Sequence, residues 1–573
     1  MKLLIKYLKP FFSRMGIGFG IKTIGTVIEL FIPYILSHIL ANVMNFSIKE
    51  IVWWGFLMIV CAIFSCTFNI VANRIAAKVS KNFAQSLRKD LFIKTLHLSA
   101  AQTDRFTIAS LESRITTDTY HVHGFINMMQ RMGVRAPILL AGGIVITMIM
   151  DFRLSLVMTA ILPLIFATVY FVRAKGVPLY EKVQSGVDSM IRVVREDSQG
   201  IRVIKALSKT DYEHKRYDKV NKALSQKETK AGVIMGSVHP IMTMFMNGGS
   251  VAVIALGAVF ASKGKSEPET IIAFMQYFTQ ITMAMMAVTR MFVMYTKCSA
   301  SALRISEVLS CPEDISICSI EEYPPIATDA HIVFDKVCFS YAGKKDNLHD
   351  ISFSLKKGES LGVIGATGSG KSTLVKLLLR FYDSCSGNIY INGENIRTIN
   401  KKSFYKMFGS AMQNDFLYAE TIRENIDFGR GLSDEEIKNA AIIAQANEFI
   451  ESFPLGYEHM LSSHGTNISG GQKQRLLISR AIAAKPEILV LDDSSSALDY
   501  KTDSALRKAL KENLPDTTVI TVAQRVSSVK DCSVIIVLDE GRIDGIGTHE
   551  ELLLSCPQYK EISDSQMGGA FVE

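Results

Sequence analysis

Hydrophobic positions are spread unevenly along this chain. Before about residue 300 they gather into six long apolar stretches, and after about residue 330 they fall into short runs separated by turns. The first stretch runs roughly from Ile17 to Met44 and is interrupted by Lys22 and Glu29. The second, Ile51 to Asn73, carries no charge. The third, Ala136 to Met150, and the fourth, Leu154 to Val172, are divided only by Asp151-Phe152-Arg153. The fifth covers Ala231 to Ser262 and the sixth Thr270 to Tyr295. A helix needs about 20 apolar residues to cross a bilayer. Each stretch is near or beyond that length except the third, which must extend into its flanks. Only helices satisfy a lipid-buried backbone in stretches of this kind.

The connections are unequal. Residues 45–50, 151–153 and 263–269 are short, whereas 74–132 and 174–230 are long, polar and rich in Lys and Arg. Their basic excess places the long connections, and with them both termini, in the cytoplasm. They are periodic enough to be helices continuing out of the membrane, with tips that would meet whatever follows residue 320. Two stretches read as such tips: Thr107 to Asp118, with Glu112, Arg114 and Asp118, and Gln199 to Ala206. A solvated charged helix face explains the same charges. Within the spans stand Lys22, Glu29, His239, Asn247, Gln276 and Arg290. Polar groups at that depth should face a cavity or a partner helix. Glu29 could contact a cationic substrate, or pair with Lys22 or with a neighbouring helix. Met1 to Arg14 mixes Lys2, Lys6, Lys9 and Arg14 with Leu, Ile, Tyr and Phe. It reads as an amphipathic helix on the cytoplasmic surface and not as a cleavable signal peptide.

Composition agrees with a membrane part followed by a soluble part. Hydrophobic residues make up 48 %, and the mean hydropathy of +0.21 owes its excess to the first 300 residues. The net charge of +8 falls largely in polar loops between apolar runs, so membrane orientation accounts for it better than nucleic-acid binding. None of the nine cysteines forms a CxxC pair, so neither a zinc site nor a disulfide framework is indicated.

Beyond a linker marked by Cys311-Pro312 and Tyr323-Pro324-Pro325, short β-rich runs begin at His331: Ile332-Val333-Phe334, Val337 to Tyr341, Ile351 to Leu355. They open an α/β domain. Its chemistry centres on Gly365-Ala366-Thr367-Gly368-Ser369-Gly370-Lys371-Ser372-Thr373. This stretch follows the apolar run Leu361 to Ile364 and precedes the helix-like Leu374 to Leu379. A strand, a glycine loop and a helix start in that order make a phosphate cradle. Backbone N–H groups turn in on the phosphates, and the helix N-terminus adds positive potential. Lys371 would reach the β- and γ-phosphates of ATP, and the Ser372 hydroxyl would ligate Mg²⁺.

About a hundred residues later stands Ile468-Ser469-Gly470-Gly471-Gln472, followed by Lys473-Gln474-Arg475 and a helical run. Then come the apolar strand Ile488 to Leu491, Asp492-Asp493, and Ser496-Ala497-Leu498-Asp499. In that order these motifs resemble an ATP-binding-cassette transporter. Six spans with two long cytoplasmic loops ahead of one cassette resemble a half-transporter of the exporter type. The implied architecture is a six-span α-helical membrane domain over residues 1–310, a linker over 311–330, and an α/β P-loop nucleotide-binding domain over 331–573. The resemblance also implies roles. Tyr341 would stack on adenine, Gln413 would touch Mg²⁺ and link nucleotide to membrane helices, and Asp492 would hold Mg²⁺. Ser469, Gly470, Gly471 and Gln472 would face the γ-phosphate of the ATP bound on a second cassette, with Asp499 at the seam. Two nucleotides lie between two cassettes in that family, so the chain is expected to act as a dimer.

The chain departs from the family pattern at three places. Where a glutamate usually serves as general base stands Asp493, one methylene shorter. Where a γ-phosphate-contacting histidine is usual stands Gln524, in Thr521-Val522-Ala523-Gln524-Arg525. Before the signature, Ser462-Ser463-His464-Gly465 replaces a glutamate-bearing loop. Glutamine hydrogen-bonds but carries no charge at neutral pH. Binding residues are kept while two hydrolytic ones are altered, a pattern that resembles the degenerate-site subunit of a heterodimeric multidrug-type exporter. The expected activity is slow hydrolysis at this chain's own pocket and ATP-driven export of an amphipathic small molecule across the cell membrane. A homodimeric exporter, an importer of exporter plan, and a nucleotide-gated regulator or channel are the alternatives.

Overall fold

The computed structural model describes residues 2–263, 267–341, 347–413, 415–494 and 496–567. It falls into two compact units. One comprises Met1–His97 and Ile108–Cys311, and the other Leu98–Thr107 and Pro312–Glu573.

The first unit is helical throughout its long elements. Phe12–Ala41 and Ile48–Leu96 come first, then Thr119–Met150, Phe152–Gln199, the pair Thr210–Gly236 and Val238–Ser262, and Pro268–Leu309. Helix starts follow local chemistry. At Ser47 the side chain accepts from the Glu50 N–H while the Glu50 carboxylate accepts from the Ser47 N–H, so two orphan donors are satisfied together. At Asp151 one carboxylate oxygen accepts from the N–H groups of Arg153 and Leu154, so the three-residue break between the third and fourth stretches is an N-cap. The third stretch gains its length by extending N-terminally to Thr119. Five helical segments are long and apolar enough to cross a membrane: Leu4–Ala41, Ile48–Leu96, Ile108–Met150, Thr210–Ser262 and Glu269–Leu309. The fourth expected span supplies a shorter apolar segment, Phe152–Thr168, on its 48-residue helix.

The long connections are mostly helical, with breaks at their tips, but the first tip is displaced from its expected place. The chain leaves the helix after Leu96 and forms the short helix Ala100–Phe106, capped by a Ser99–Gln102 box. Thr107 to Asp118 instead lies on the return. It contains Ile108–Ser113 and a π-helical turn, Arg114–Asp118. Glu112 is exposed, but Arg114 and Asp118 are buried. Asp118 is fully buried, accepting from Ser301 Oγ at 2.8 Å and Arg304 Nε at 2.8 Å, and Arg114 donates to the Arg304 carbonyl at 2.7 Å. The second tip is where expected, in Ile201–Ala206.

The second unit carries two sheets. The strands are β1 (Ile332–Phe339), β2 (Leu348–Leu355), β3 (Ser360–Ile364), β4 (Ser386–Ile391), β5 (Glu394–Asn395), β6 (Phe408–Ala411), β7 (Ile488–Asp492), β8 (Thr518–Val522), β9 (Val534–Asp539) and β10 (Arg542–Gly547). A four-stranded antiparallel sheet has the order β2-β1-β4-β5 and a six-stranded sheet the order β10-β9-β3-β8-β7-β6. In the second sheet β9, β3, β8, β7 and β6 run parallel and only β10 is antiparallel. Strands buried on both faces read as continuous apolar runs, which is the pattern of Ile488 to Leu491, all buried. Parallel strands bring the C-terminal ends of β3, β6, β7 and β8 to one edge, where open α/β sheets bind their ligands.

The segment Leu98–Thr107 packs within this second unit. Gln102 Nε2 donates to the Pro312 carbonyl at 2.6 Å, Ser99 Oγ to Asp314 Oδ2 at 2.7 Å, and Tyr382 Oη to Asp104 Oδ2 at 2.5 Å.

Candidate functional site

The glycine loop connects β3 to the helix Lys371–Leu378. Two of its glycines are dictated by geometry. A Cβ on Gly365 would stand 2.1 Å from the Leu538 carbonyl oxygen, and Gly370 holds a left-handed φ of 105° at the helix start. Only glycine meets both demands without strain. Behind the loop, Leu361, Val363, Leu374 and Leu378 are buried in one core with Val490 and Ile520. The loop is therefore anchored on rigid elements at both ends.

A cavity of about 310 Å³ opens over this loop. Thr367, Gly368, Gly370, Lys371, Ser372 and Thr373 line one side, and Gln413, Asp492, Asp493 and Gln524 line the other. Gln413 follows β6, Asp492 ends β7, and Gln524 follows β8, so residues as far apart in sequence as Gln413 and Gln524 converge because their strands are neighbours. Asn347, Val522 and Ala523 complete the lining. None of these three carries a motif signal in the sequence.

Lys371 Nζ donates to the carbonyls of Gly365 and Ala366, at 2.8 Å each. Burial lowers its pKa, while the charges of Asp493 and Asp492 act the other way. Ser372 Oγ stands 3.4 Å from Asp492 Oδ1. Burial pushes the Asp492 carboxyl above the usual range, opposed first by that serine. Ser369 Oγ is buried with no hydrogen-bond partner among the described residues.

Asp493 occupies an unusual position. Its φ is +52°, a left-handed conformation that aspartate tolerates better than most residues. Its Oδ2 accepts from both Gln413 Nε2, at 3.0 Å, and Gln524 Nε2, at 3.1 Å. The two residues singled out as departures are thus joined directly, with Gln413 as the third member. Burial raises the Asp493 pKa, and the Gln413 hydrogen bond is the largest effect opposing it.

Tyr341 stands beside the cavity and outside its lining. Its hydroxyl is 3.3 Å from Thr373 Oγ1, and Lys376 Nζ lies 5.5 Å from its ring centre. The signature residues are apart from this cavity too. Ser469 caps the helix Gly470–Ala483 in a box with Gln472, and Ser469 and Gly470 are exposed. Gly471 is required by a close approach, since a Cβ there would meet the Ala497 carbonyl oxygen at 3.0 Å. Within one chain, then, the glycine loop and the signature do not meet.

Of the polar residues in the spans, Lys22 and Glu29 line a second cavity, in the first unit. Glu29 Oε1 accepts from Arg135 Nη2 at 2.6 Å, so the neighbouring-helix pairing is the one adopted. Asn247, Gln276 and Arg290 are exposed in the single chain, and the side chain of His239 is outside the described residues.

Residues 15–285 match the ABC transporter transmembrane region, and residues 348–496 match the ABC transporter cassette. The chain is 32 % identical over 574 residues to the uncharacterized ABC transporter ATP-binding protein YfiB of Bacillus subtilis, covering 99 % of both chains. It is 30 % identical to the putative ABC transporter ATP-binding protein exp8 of Streptococcus pneumoniae, over 99 % of this chain and 97 % of that one. Among solved structures it is similar to a bacterial Atm1-family ABC exporter with ATP bound, with a TM-score of 0.82, 22 % identity, and coverage of 98 % and 100 %.

Proposed function

The chain belongs to the ATP-binding-cassette transporters, as a membrane-embedded half-transporter of the exporter type, and from that premise we propose that it is the degenerate-site half of a heterodimeric exporter. ATP hydrolysis coupled to transport is the activity of the fold. The proposal concerns how that activity is divided. This chain's pocket grips ATP and hydrolyses it slowly. Its signature, Ser469 to Gln472, completes a competent pocket on a different chain, which supplies its own base. The cargo is an amphipathic small molecule moved outward across the cell membrane.

The observation that carries the reading is the shared oxygen of Asp493. Moving from glutamate to aspartate draws the carboxylate back by about 1.5 Å, one carbon–carbon bond. A misplacement of about 1 Å costs on the order of a hundredfold in rate. Here Oδ2 additionally accepts two amide N–H groups. Both stabilise the charged carboxylate and partly offset the rise that burial gives its pKa, and they tie the oxygen to Gln413 and Gln524. Gln524 adds no positive charge at the γ-phosphate position.

The binding half of the chemistry is intact. The loop N–H groups and the start of the helix Lys371–Leu378 supply the anion cradle, and Lys371 can leave two neutral carbonyls for charged phosphate oxygens. Ser372 Oγ and Asp492 Oδ1, 3.4 Å apart, together with Gln413, form an all-oxygen donor set suited to Mg²⁺. That ion would neutralise phosphate charge when bound. Tyr341, beside the cavity and outside its lining, would stack on the adenine base.

Coupling to the membrane helices is proposed to run through Leu98–Thr107. This segment is held by Pro312, Asp314 and Tyr382 and is continuous at both ends with long helices.

The test is to restore the altered residues. Asp493→Glu combined with Gln524→His, in the complex with the partner's own base disabled, is expected to raise ATP turnover at least about tenfold. No gain contradicts slow hydrolysis as a property of these two residues.

A further inference from the structure

The cavity in the helical unit has a volume of about 360 Å³, enough for a small organic molecule. Three helices build it, each with one stripe of residues. Phe12–Ala41 contributes Lys22, Glu29 and Ile32, and Ile48–Leu96 contributes Ala62, Ser65, Cys66, Asn69 and Asn73. Thr119–Met150 contributes Arg131, Met132 and Arg135. The spacings of three, four and seven residues keep each set on one helix face.

Its charge is unbalanced. Three cations, Lys22, Arg131 and Arg135, share the wall with one carboxylate, Glu29, which leaves two positive charges in excess. Glu29 is committed to Arg135. Lys22 is 2 % exposed and donates to Asn73 Oδ1 at 3.1 Å. Among the described residues no carboxylate pairs with Lys22 or with Arg131. Three polar atoms on lining residues are buried with no hydrogen-bond partner among the described residues: Arg135 Nε, Glu29 Oε2 and Asn69 Oδ1. Charges and unpaired polar groups at membrane depth mark binding sites and pathways. The apolar side is formed by Ile32, Ala62 and Met132.

Depth follows from the helix rise of about 1.5 Å per residue. Ala62 lies about 21 Å and Asn73 about 38 Å along the helix from its start at Ile48. Measured from Ile48 against a hydrocarbon core of about 30 Å, the cavity runs from beyond the middle of the core to past its far boundary, toward the polar half of Ile48–Leu96.

We propose that this cavity binds an amphipathic anion, with a carboxylate or phosphate head between Lys22 and Arg131 and a short apolar body against Ile32 and Met132. The inference rests on the exporter reading in one respect, because it names the substrate class of that reading. The anionic head can come from a free amphiphile or from a lipid of the inner leaflet.

Cys66 is a built-in reporter, since it lines the cavity as an exposed free thiol. The full-length protein with its native partner, in phosphatidylcholine nanodiscs, is treated with N-ethylmaleimide, and Cys66 modification is followed by peptide mass spectrometry. Decanoate or decyl phosphate is expected to slow modification at least fivefold, and decyltrimethylammonium to leave it unchanged. Replacing part of the phosphatidylcholine with phosphatidylglycerol, with no added amphiphile, identifies a lipid source if it protects by itself. Lys22→Gln with Arg131→Gln is expected to raise the half-protecting decanoate concentration at least tenfold. Glu29→Gln is expected to lower it several-fold, an improvement that a purely structural role would not produce. Equal protection by the cation, or no protection by any of the anions, overturns the proposal. The assay needs no ATP, so it separates two failures. Anion-selective protection with no stimulation of ATP hydrolysis keeps the site and contradicts the transport reading. Stimulated hydrolysis without protection overturns the site and leaves the transport reading standing.

Discussion

Asp493 concentrates the residue-scale argument. It holds a left-handed backbone, accepts two glutamine amides on one oxygen, and lines the cavity over the glycine loop. Its neighbour across the cavity, Lys371, has the opposite standing, because the glycine loop that carries it keeps the phosphate-binding pattern. Lys371→Ala removes one charge-assisted contact to phosphate, a loss of about 1.5–3 kcal/mol. We expect ATP affinity at this pocket to fall about tenfold to a hundredfold, read by equilibrium nucleotide binding to the complex. An unchanged affinity would mean that the lysine stays on the Gly365 and Ala366 carbonyls with ATP bound. Most residues of this cavity were legible from the sequence because they belong to motifs, whereas Asn347, Val522 and Ala523 were not. The glutamine clamp was not, since it depends on β6, β7 and β8 being neighbours. The Glu29–Arg135 pair was hidden for the same reason, with 106 positions separating its members.

Elements were legible where a local signal starts them. The boxes at Ser47, Ser99 and Ser469, and Asp151 between two apolar stretches, all cap helices in the structure. The first tip was misplaced because charge alone does not distinguish a solvated face from a buried network. Arg114 and Asp118 read as surface residues, yet Asp118 is fully buried against Ser301 and Arg304 on the last long helix. Asp118→Ala leaves the Arg304 guanidinium and the Ser301 hydroxyl without their acceptor. Removing one member of such a pair costs about 3 kcal/mol. The expected outcome is a clear drop in thermal unfolding temperature, with Glu307→Gln, itself half-exposed beside Arg114, within about 1 kcal/mol of the parent. The tip helix Ala100–Phe106 invites a functional test. Gln102→Ala with Tyr382→Phe removes two of its three anchors. Basal ATP hydrolysis should stay within about twofold, while transport falls at least about tenfold if coupling runs through these contacts. Parallel loss of both would assign the segment a folding role instead.

For the whole molecule, hydropathy delivered the membrane unit and motif order delivered the ATPase unit, but neither contains the second chain. The glycine loop and the signature are separate within one polypeptide, and the proposed pairing of two chains is what would join them. Whether those two are copies or different chains is the point on which the account turns. If the chain is the slow half, self-pairs contain only altered bases. The most direct test is the steady-state ATP turnover of this chain purified without any partner and reconstituted in lipid, compared with the same chain in its native complex. The account predicts turnover about a hundredfold lower in the self-paired protein, with no response to amphipathic compounds. Turnover equal to that of the complex, rising with substrate, would show a symmetric pump in which aspartate and glutamine suffice.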